Sequence, residues 1–529
     1  MSSSRFDGST VDLSRTGTDL VWGEGDLAFA PTPALTILFH PRALRVGDRV
    51  FLGQIVRGQE ALLGRLEPDF ESPGSRAREP LNDPYLSRQP IRFRPARDGG
   101  IELRLDDSRK AVLAAGEPVA GSRLFSASEI QQGVVLELAG RVVLLLHFFV
   151  PPRLAVAESF SLVGESAGMV RVRAEIRLGA DLAVPALIRG ETGTGKELVA
   201  RGLHAASRRR GGPFVSVNLG AIPPSLAASE LFGAARGAFT GAVQAQDGYF
   251  RRAQGGTLFL DEIGETPPEI QASLLRVLET GEVQAVGAQV PQRVDVRVVA
   301  ATDADLDRRI EDGTFRAPLL HRLAGYSIWL PPLRERRDDI GRLLVHFLRI
   351  ELEALGEPDR LDAAPSRELW MAPALMARLA RYGWPGNVRQ LRNAVRQLAL
   401  DSRGLPQIQA GPGFESLLGG SRPIAPPAAA PPAAVRRRKP SEISREELLD
   451  ALRANRWRLK STAEQLGISR PSLYVLIDHC AEIRKAGDLT VSEITACHRA
   501  CQGDLDAMVE RLMVSRDALH RRIRELGLD

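Results

Sequence analysis

The chain reads as a multidomain protein with three folds in series: an all-β unit, an α/β unit around a parallel sheet, and an all-α tail. Three observations support this. Residues 35–150 hold short apolar runs (ALTILFH, RVFLGQIV, GRVVLLLHFFV) cut by Gly, Pro and Asp, the pattern of strands and turns. From 160 to about 400, apolar runs (VPALIRG, PFVSVN, GTLFLDE, VDVRVVAAT) alternate with longer helix-period segments, as in a parallel sheet with crossover helices. In the tail, residues 447–477 align with 493–523 at an offset of 46, each copy reading as a helix, a short turn and a second helix opening on Ser-Arg.

The 529 residues exceed what one hydrophobic core organises, and 44% hydrophobic with 26% charged residues is an ordinary globular balance. A net charge of +5 is too small to argue for nucleic acid by itself. The three cysteines, Cys480, Cys497 and Cys501, form no disulfide framework. Cys497 and Cys501, four apart on a helix, read as packing, since no third and fourth metal ligand accompanies them. The N-terminal MSSSRFDGSTVDLSR has no apolar signal core, and no run reaches the roughly 18 apolar residues of a membrane span. The expectation is a cytoplasmic protein with no membrane partner.

The expected divisions are a flexible stretch 1–34, a β unit 35–150, an α/β core 160–335, a helical lid 336–402, a linker 403–441, a helix-turn-helix 442–480 and a second such repeat 488–529. The linker assignment rests on eight prolines between 404 and 440 and on the closing basic run Arg436–Lys439.

Chemistry starts at LIRGETGTGKELVA. Gly190, Gly193, Gly195 and Lys196 form GxxxxGK between a strand and a helix, the setting of a phosphate loop. Its backbone amides, from Gly190 through Glu191, Thr192, Gly193, Thr194 and Gly195, converge on phosphates at a helix start, and Lys196 adds a point charge. Glu197 stands where a hydroxyl residue would ordinarily hold magnesium, so a metal needs other ligands. GGTLFLDEIGE supplies them: an apolar strand ends in Asp261, suited to Mg2+, and Glu262, suited to polarising an attacking water.

With GETGTGKE, ASELFG, GAFTGA, GGTLFLDEIGE, LLRVLETGEVQAVG, PPLRERRDDI and YGWPGNVRQLRN in this order between Val163 and Leu398, the chain resembles the AAA+ activators of sigma-54 RNA polymerase, the bacterial enhancer-binding proteins. Glu197 is usual in that family. The resemblance implies an α/β ATPase core with a helical lid, assembling into a homo-oligomeric ring, usually a hexamer, that hydrolyses ATP with Mg2+. It implies that Asn218 restrains the catalytic Glu262, that Thr302 and Asp303 are the first sensor of the γ-phosphate, that Arg316 and Arg322 are fingers inserted into a neighbour's site, and that Arg389 is the second sensor. Two departures stand out. Asp303 replaces a common asparagine, and a carboxylate repels phosphate unless paired or protonated. Pro318 replaces a common aspartate, and proline removes a donor and restricts Ala317, which would alter the finger geometry. The segment 162–166 (LVGES) and the lid are expected to close round the base.

GAFTGA, residues Gly237, Ala238, Phe239, Thr240, Gly241 and Ala242, is not needed for hydrolysis. Gly and Ala make a tight turn, Phe239 an apolar anchor and Thr240 a hydroxyl contact. The family likeness implies that this loop grips sigma-54 in the polymerase holoenzyme when the γ-phosphate is present.

In the tail, the first repeat resembles a Fis-type DNA-binding domain, whose second helix would present Arg470, Ser472 and Tyr474 to upstream enhancer DNA. Residues 443–529 hold 14 basic and 14 acidic side chains, so binding must rest on local arrangement. The second repeat has Met513 where Gly467 makes the first turn, so its turn differs or the repeat is degenerate. In the β unit, ALLGRLEPDF and LNDPYLSRQP are similar to the forkhead-associated (FHA) sandwich, a phosphothreonine reader. Arg65, Ser87 and Arg88 would hydrogen-bond the phosphate of a phosphothreonine protein, although Gln89 and Pro90 replace the histidine usual after Ser-Arg.

Overall fold

The computed structural model describes residues 31–73, 77–106, 111–150, 158–238, 244–361 and 369–418. In the tail it describes 443–455, 489–501, 504–512 and scattered positions between 457 and 523. Residues up to 424 form one compact unit and those from 425 a second.

The β unit is a sandwich of an eight-stranded and a four-stranded sheet. The centre of the larger sheet is Thr32–Phe39, antiparallel to both Val142–Phe149 and Arg49–Phe51. Side chains alternate across a strand, and here both sides are dry. Leu35, Ile37, Leu144 and Leu146 face the smaller sheet, with Phe93, Ile101 and Leu103 opposite. Leu38, Phe39, Val143 and Leu145 face the other way and share a core with Ile340, Leu344, Trp370, Leu379 and Leu398 of the lid. This accounts for the unbroken apolar run VVLLLHFF, which has no polar face to show.

The α/β core is a five-stranded, wholly parallel sheet in the order Phe214–Asn218, Thr257–Asp261, Arg297–Thr302, Ala186–Arg189, Tyr326–Trp329. Its strands are apolar on both faces: Leu187, Leu258, Leu260 and Val298 enter one core, Ala186, Ile188, Phe259 and Val299 another. Helix Ala167–Gly179 starts at a Ser166 cap that accepts from Met169 N–H, and helix Pro268–Thr280 stops at Gly281 in the left-handed region.

The lid comprises helices Ile340–Ala354, Pro373–Arg381 and Asn387–Asp401. The expectation that 403–441 is a core-free linker is corrected. Ile408 and Phe414 are fully buried in the lid core, Leu418 nearly so, and helix Pro412–Leu418 packs on Asn387–Asp401. Residues 419–442 lie outside the described residues.

In the tail, Ser444 caps helix Arg445–Ala454, and Thr490 with Glu493 forms a capping box for Val491–Ala500. Leu466, Leu473, Met508, Val514 and Leu519 lie in one core with these helices. The Cys497 and Cys501 sulfurs are 3.9 Å apart, Cys497 within that core and Cys501 packed against it. Among the described residues no cluster of His, Cys, Asp and Glu suits a metal ion, and no helix is long and apolar enough to cross a membrane.

Candidate nucleotide site

Strand Ala186–Arg189 runs into the glycine-rich loop, and helix Lys196–Ala206 leaves it. The helix begins on Gly195 at φ +107° with no side-chain cap, so its first amides are left to an external anion. Lys196 Nζ donates to its own loop, to Gly190 O at 2.8 Å and Glu191 O at 3.3 Å. Burial lowers its pKa, while Asp303, Asp261 and Glu262 hold the ammonium form up. The loop therefore concentrates positive potential in a partly dry place, and polyphosphate fits it.

The acidic strand Thr257–Asp261 ends close by in the same sheet. Burial raises the pKa of Asp261, opposed by the Glu262 N–H that its Oδ1 accepts at 3.0 Å. Glu262 sits in the left-handed region at φ +55°, a conformation rare outside glycine and frequent at functional positions. Its carboxylate lies directly over Gly220, where any side chain would strike Oε2. Asn218 is exposed, and its Oδ1 accepts from Ala221 N–H at 3.2 Å in the same turn. Asn218 and Glu262 thus flank one glycine.

Asp303 is exposed and accepts a hydrogen bond from the Thr192 hydroxyl, and its carboxylate favours the charged form of Lys196. Thr302 is buried and its hydroxyl accepts from Ala304 N–H at 3.0 Å, an engagement within its own turn. Glu197 pairs with Arg201 at 2.7 Å on the outer face of its helix. Arg389 is exposed, and its backbone N–H donates to Gly193 O at 3.2 Å.

Arg316 and Arg322 are exposed at the two ends of helix Ala317–Leu323. Arg322 Nε donates to Leu278 O at 3.0 Å, and Arg316 N–H to Gln271 Oε1 at 2.9 Å. Pro318 lies in the first helical turn, where the missing N–H has no intrahelical partner, and Ala317 is helical before it. The helix that follows Arg316 and carries Arg322 forms with Pro318 in its first turn.

Residues that the sequence reading did not assign tie the lid to the loop. Asn387 is fully buried at φ +51°. Its Nδ2 donates to Glu191 Oε2 and Thr192 O, both at 3.0 Å, and its Oδ1 accepts from Leu333 N–H at 2.8 Å. Arg334 makes a two-pronged pair with Glu191 at 2.6 and 2.8 Å, holding that carboxyl below the usual carboxylate range. Arg336, buried, donates to Thr194 O at 3.1 Å. At Gly193 any side chain would strike Gly386 O of the lid, so the close approach of lid and loop requires this glycine. WPGNVRQ contained Asn387 in plain view, but its partners are set by tertiary packing.

The loop containing GAFTGA has a closed base. Ala234 and Gln246 exchange backbone hydrogen bonds at 3.0 and 2.9 Å, and Ala235 N–H donates to Val286 O at 2.9 Å. Gly237, at φ +81°, and Ala238 follow, with Ala238 against Gly287. Phe239, Thr240, Gly241 and Ala242 lie outside the described residues, as do Arg470, Ser472 and Tyr474 in the tail.

In the sandwich, a cavity of about 310 Å³ is lined by Gly64, Arg65, Tyr85 and Ser87 over an apolar floor. Arg65 Nε is buried and finds no hydrogen-bond partner among the described residues; Nη1 reaches Pro84 O at only 3.4 Å. Ser87 Oγ accepts from Gln89 N–H at 3.2 Å. Arg88 is exposed and does not line the cavity.

Comparison with known proteins agrees with this geometry. Residues 162–329 match the sigma-54 interaction domain, 334–410 the AAA+ ATPase lid domain, and 439–475 the bacterial regulatory protein, Fis family. The nitric oxide reductase transcription regulator NorR1 of Cupriavidus necator is 42% identical over 335 residues, 60% of this chain and 63% of that protein. The DNA-binding transcriptional regulator NtrC of Azospirillum brasilense is 51% identical over 245 residues, 46% of this chain and 48% of that protein. The chain thus spans about half to five-eighths of these relatives. A crystal structure of NtrX from Brucella abortus with ADP aligns over 70% of each chain at 30% identity and a TM-score of 0.44.

Proposed function

We propose that this chain is a sigma-54-dependent transcriptional regulator that hydrolyses ATP to remodel sigma-54 RNA polymerase while its tail is bound to upstream DNA. The observation that carries the reading is one compact core joining a phosphate site to a base-pinned loop whose sequence is GAFTGA. Lys196 and the amides at Gly193–Gly195 hold the phosphates, and Asp261 holds Mg2+. Glu262 polarises water, and the exposed Arg316 and Arg322 reach a neighbouring copy in a homo-oligomeric ring. Phe239 and Thr240 carry the resulting movement to sigma-54. The Fis-like repeat of the tail meets DNA through Arg470, Ser472 and Tyr474. The formation of helix Ala317–Leu323 with Pro318 in its first turn supports remodelling over a DNA-bound scaffold without it.

The sandwich is an FHA-like regulatory unit that takes a phosphothreonine protein at Arg65 and Ser87. What supports this is the buried Arg65 nitrogen left unpaired at the cavity wall, since an oxyanion would satisfy it. Retention of a phosphothreonine peptide over its unphosphorylated twin, lost on Arg65→Ala, checks it; equal retention of both peptides contradicts it.

The main reading is tested with the full chain, ATP and sigma-54 holoenzyme on a promoter carrying its upstream site. Open complexes are expected only with hydrolysable ATP. Hydrolysis without DNA melting would overturn the remodelling role.

A further inference from the structure

The segment Arg334–Asp339 touches three parts of the molecule at once. Arg334 and Arg336 hold the phosphate loop, as described. Asp339, fully buried, holds the other end of the nucleotide site: its Oδ1 accepts from Glu165 N–H at 2.6 Å and Ser166 N–H at 2.9 Å, and its Oδ2 from Ser166 Oγ at 2.6 Å. Gly164, at φ +135°, leaves room for that carboxylate, which a side chain there would strike. These are residues of the 162–166 segment expected to close round the base.

The third part is the sandwich. Its Arg49 is buried, with Nη2 on Asp338 Oδ2 at 2.8 Å and both terminal nitrogens at 3.4 Å from Glu165 O. Nε donates to Thr36 Oγ1 at 3.0 Å, and the guanidinium lies 4.1 Å above the Phe149 ring. A buried guanidinium bound on every side is held in one geometry. A loop carbonyl facing it is held likewise.

We infer that Arg49 is a positioning residue for the nucleotide site, through which the sandwich fixes the base-binding segment 164–166 and so sets nucleotide affinity. This rests on the reading of residues 162–329 as a nucleotide-binding ATPase. Arg49 touches no phosphate; it acts by holding Glu165 O and Asp338, while Asp339 holds the adjoining amides.

The test is equilibrium binding of a fluorescent ADP analogue to the full chain, with KM and kcat for ATP measured alongside. Arg49→Ala is expected to weaken binding by about tenfold and to raise KM by a similar factor, with a smaller change in kcat. Arg49→Lys, which keeps the charge at Asp338, restores part of the loss. Asp338→Asn, nearly the same shape, weakens binding in the same direction and serves if Arg49→Ala does not fold. Arg381→Ala removes a different contact of the same seam, with Glu137 at 3.6 Å, and is expected to leave binding within about twofold. Binding by folded Arg49→Ala and Asp338→Asn within twofold of the unaltered chain overturns the inference. Equal losses in Arg49→Ala and Arg381→Ala also overturn it, as they would mean general loosening of the seam. Binding without hydrolysis by the unaltered chain would contradict the ATPase reading yet leave the affinity comparison intact.

Discussion

Around the nucleotide site, charge is handled in two opposite ways. Where the sandwich meets the Arg334–Asp339 segment, four ionic groups are drawn inside: Arg49, Arg336, Asp338 and Asp339 are all under 9% exposed. Around helix Ala317–Leu323, by contrast, Arg316 and Arg322 stand in solvent: Arg322 Nε donates to one carbonyl, and Arg316 is bonded there through its backbone N–H. Burying a charge is tolerated only where partners are supplied, and Arg49, Asp338 and Asp339 find theirs within one protomer. The exposed arginines carry no such constraint, which suits the role proposed for them in a neighbouring copy's site.

The contrast is sharpest if the two regions fail differently. Arg322→Ala or Arg316→Ala is expected to cut ATP turnover by roughly 10³-fold or more, with stability within about 0.5 kcal/mol of the unaltered chain. Steady-state hydrolysis beside denaturant unfolding checks both numbers. Asp339→Ala should instead cost about 3–5 kcal/mol of stability by stranding the Glu165 and Ser166 amides and the nearby arginines, besides loosening the 164–166 segment. Urea unfolding of the 31–424 unit within the full chain reads this; a loss under about 1 kcal/mol would mean the junction is wetter than described.

Acid probes the buried side of the comparison with no mutation. Burial pulls His40 down to about 4 and His147 to about 3, so both are neutral in the folded sandwich. Unfolded, they regain a pKa near 6.5 and take up protons first. Stability is therefore present above about pH 6.5 and lost as pH falls, by roughly 2 kcal/mol per histidine between pH 7 and pH 5. His147→Gln should remove about half of that slope. The smallest effect is expected at Arg334→Ala, whose half-exposed pair with Glu191 contributes at most about 1 kcal/mol to unfolding.

How much of this was legible in the sequence follows from how local each interaction is. The phosphate loop and the Asp261–Glu262 strand end were readable because glycine conformation, helix start and strand end are neighbours along the chain. Apolar runs gave the sandwich, and VVLLLHFF held the further sign that both faces are covered, though nothing in it named the lid as the cover. Asn387 and Arg49 were not legible: their partners lie 196 and 289 positions away, and neither residue type implies them. The core-free linker is shorter than the proline content of 404–440 suggests, because six of the eight prolines fall at 423 or later. Ile408, Phe414 and Leu418 had space to fold back before that point.

The central claim is that the exposed arginines of one copy complete the phosphate site of another. Mixing Lys196→Ala, which loses its own site, with Arg322→Ala, which loses its finger, tests this most directly. Each variant alone is expected to hydrolyse ATP at background rate, and the mixture to regain a measurable fraction of normal turnover, because intact sites then meet intact fingers. Turnover that stays at background at every mixing ratio, or an Arg322→Ala chain that is fully active alone, would contradict the account.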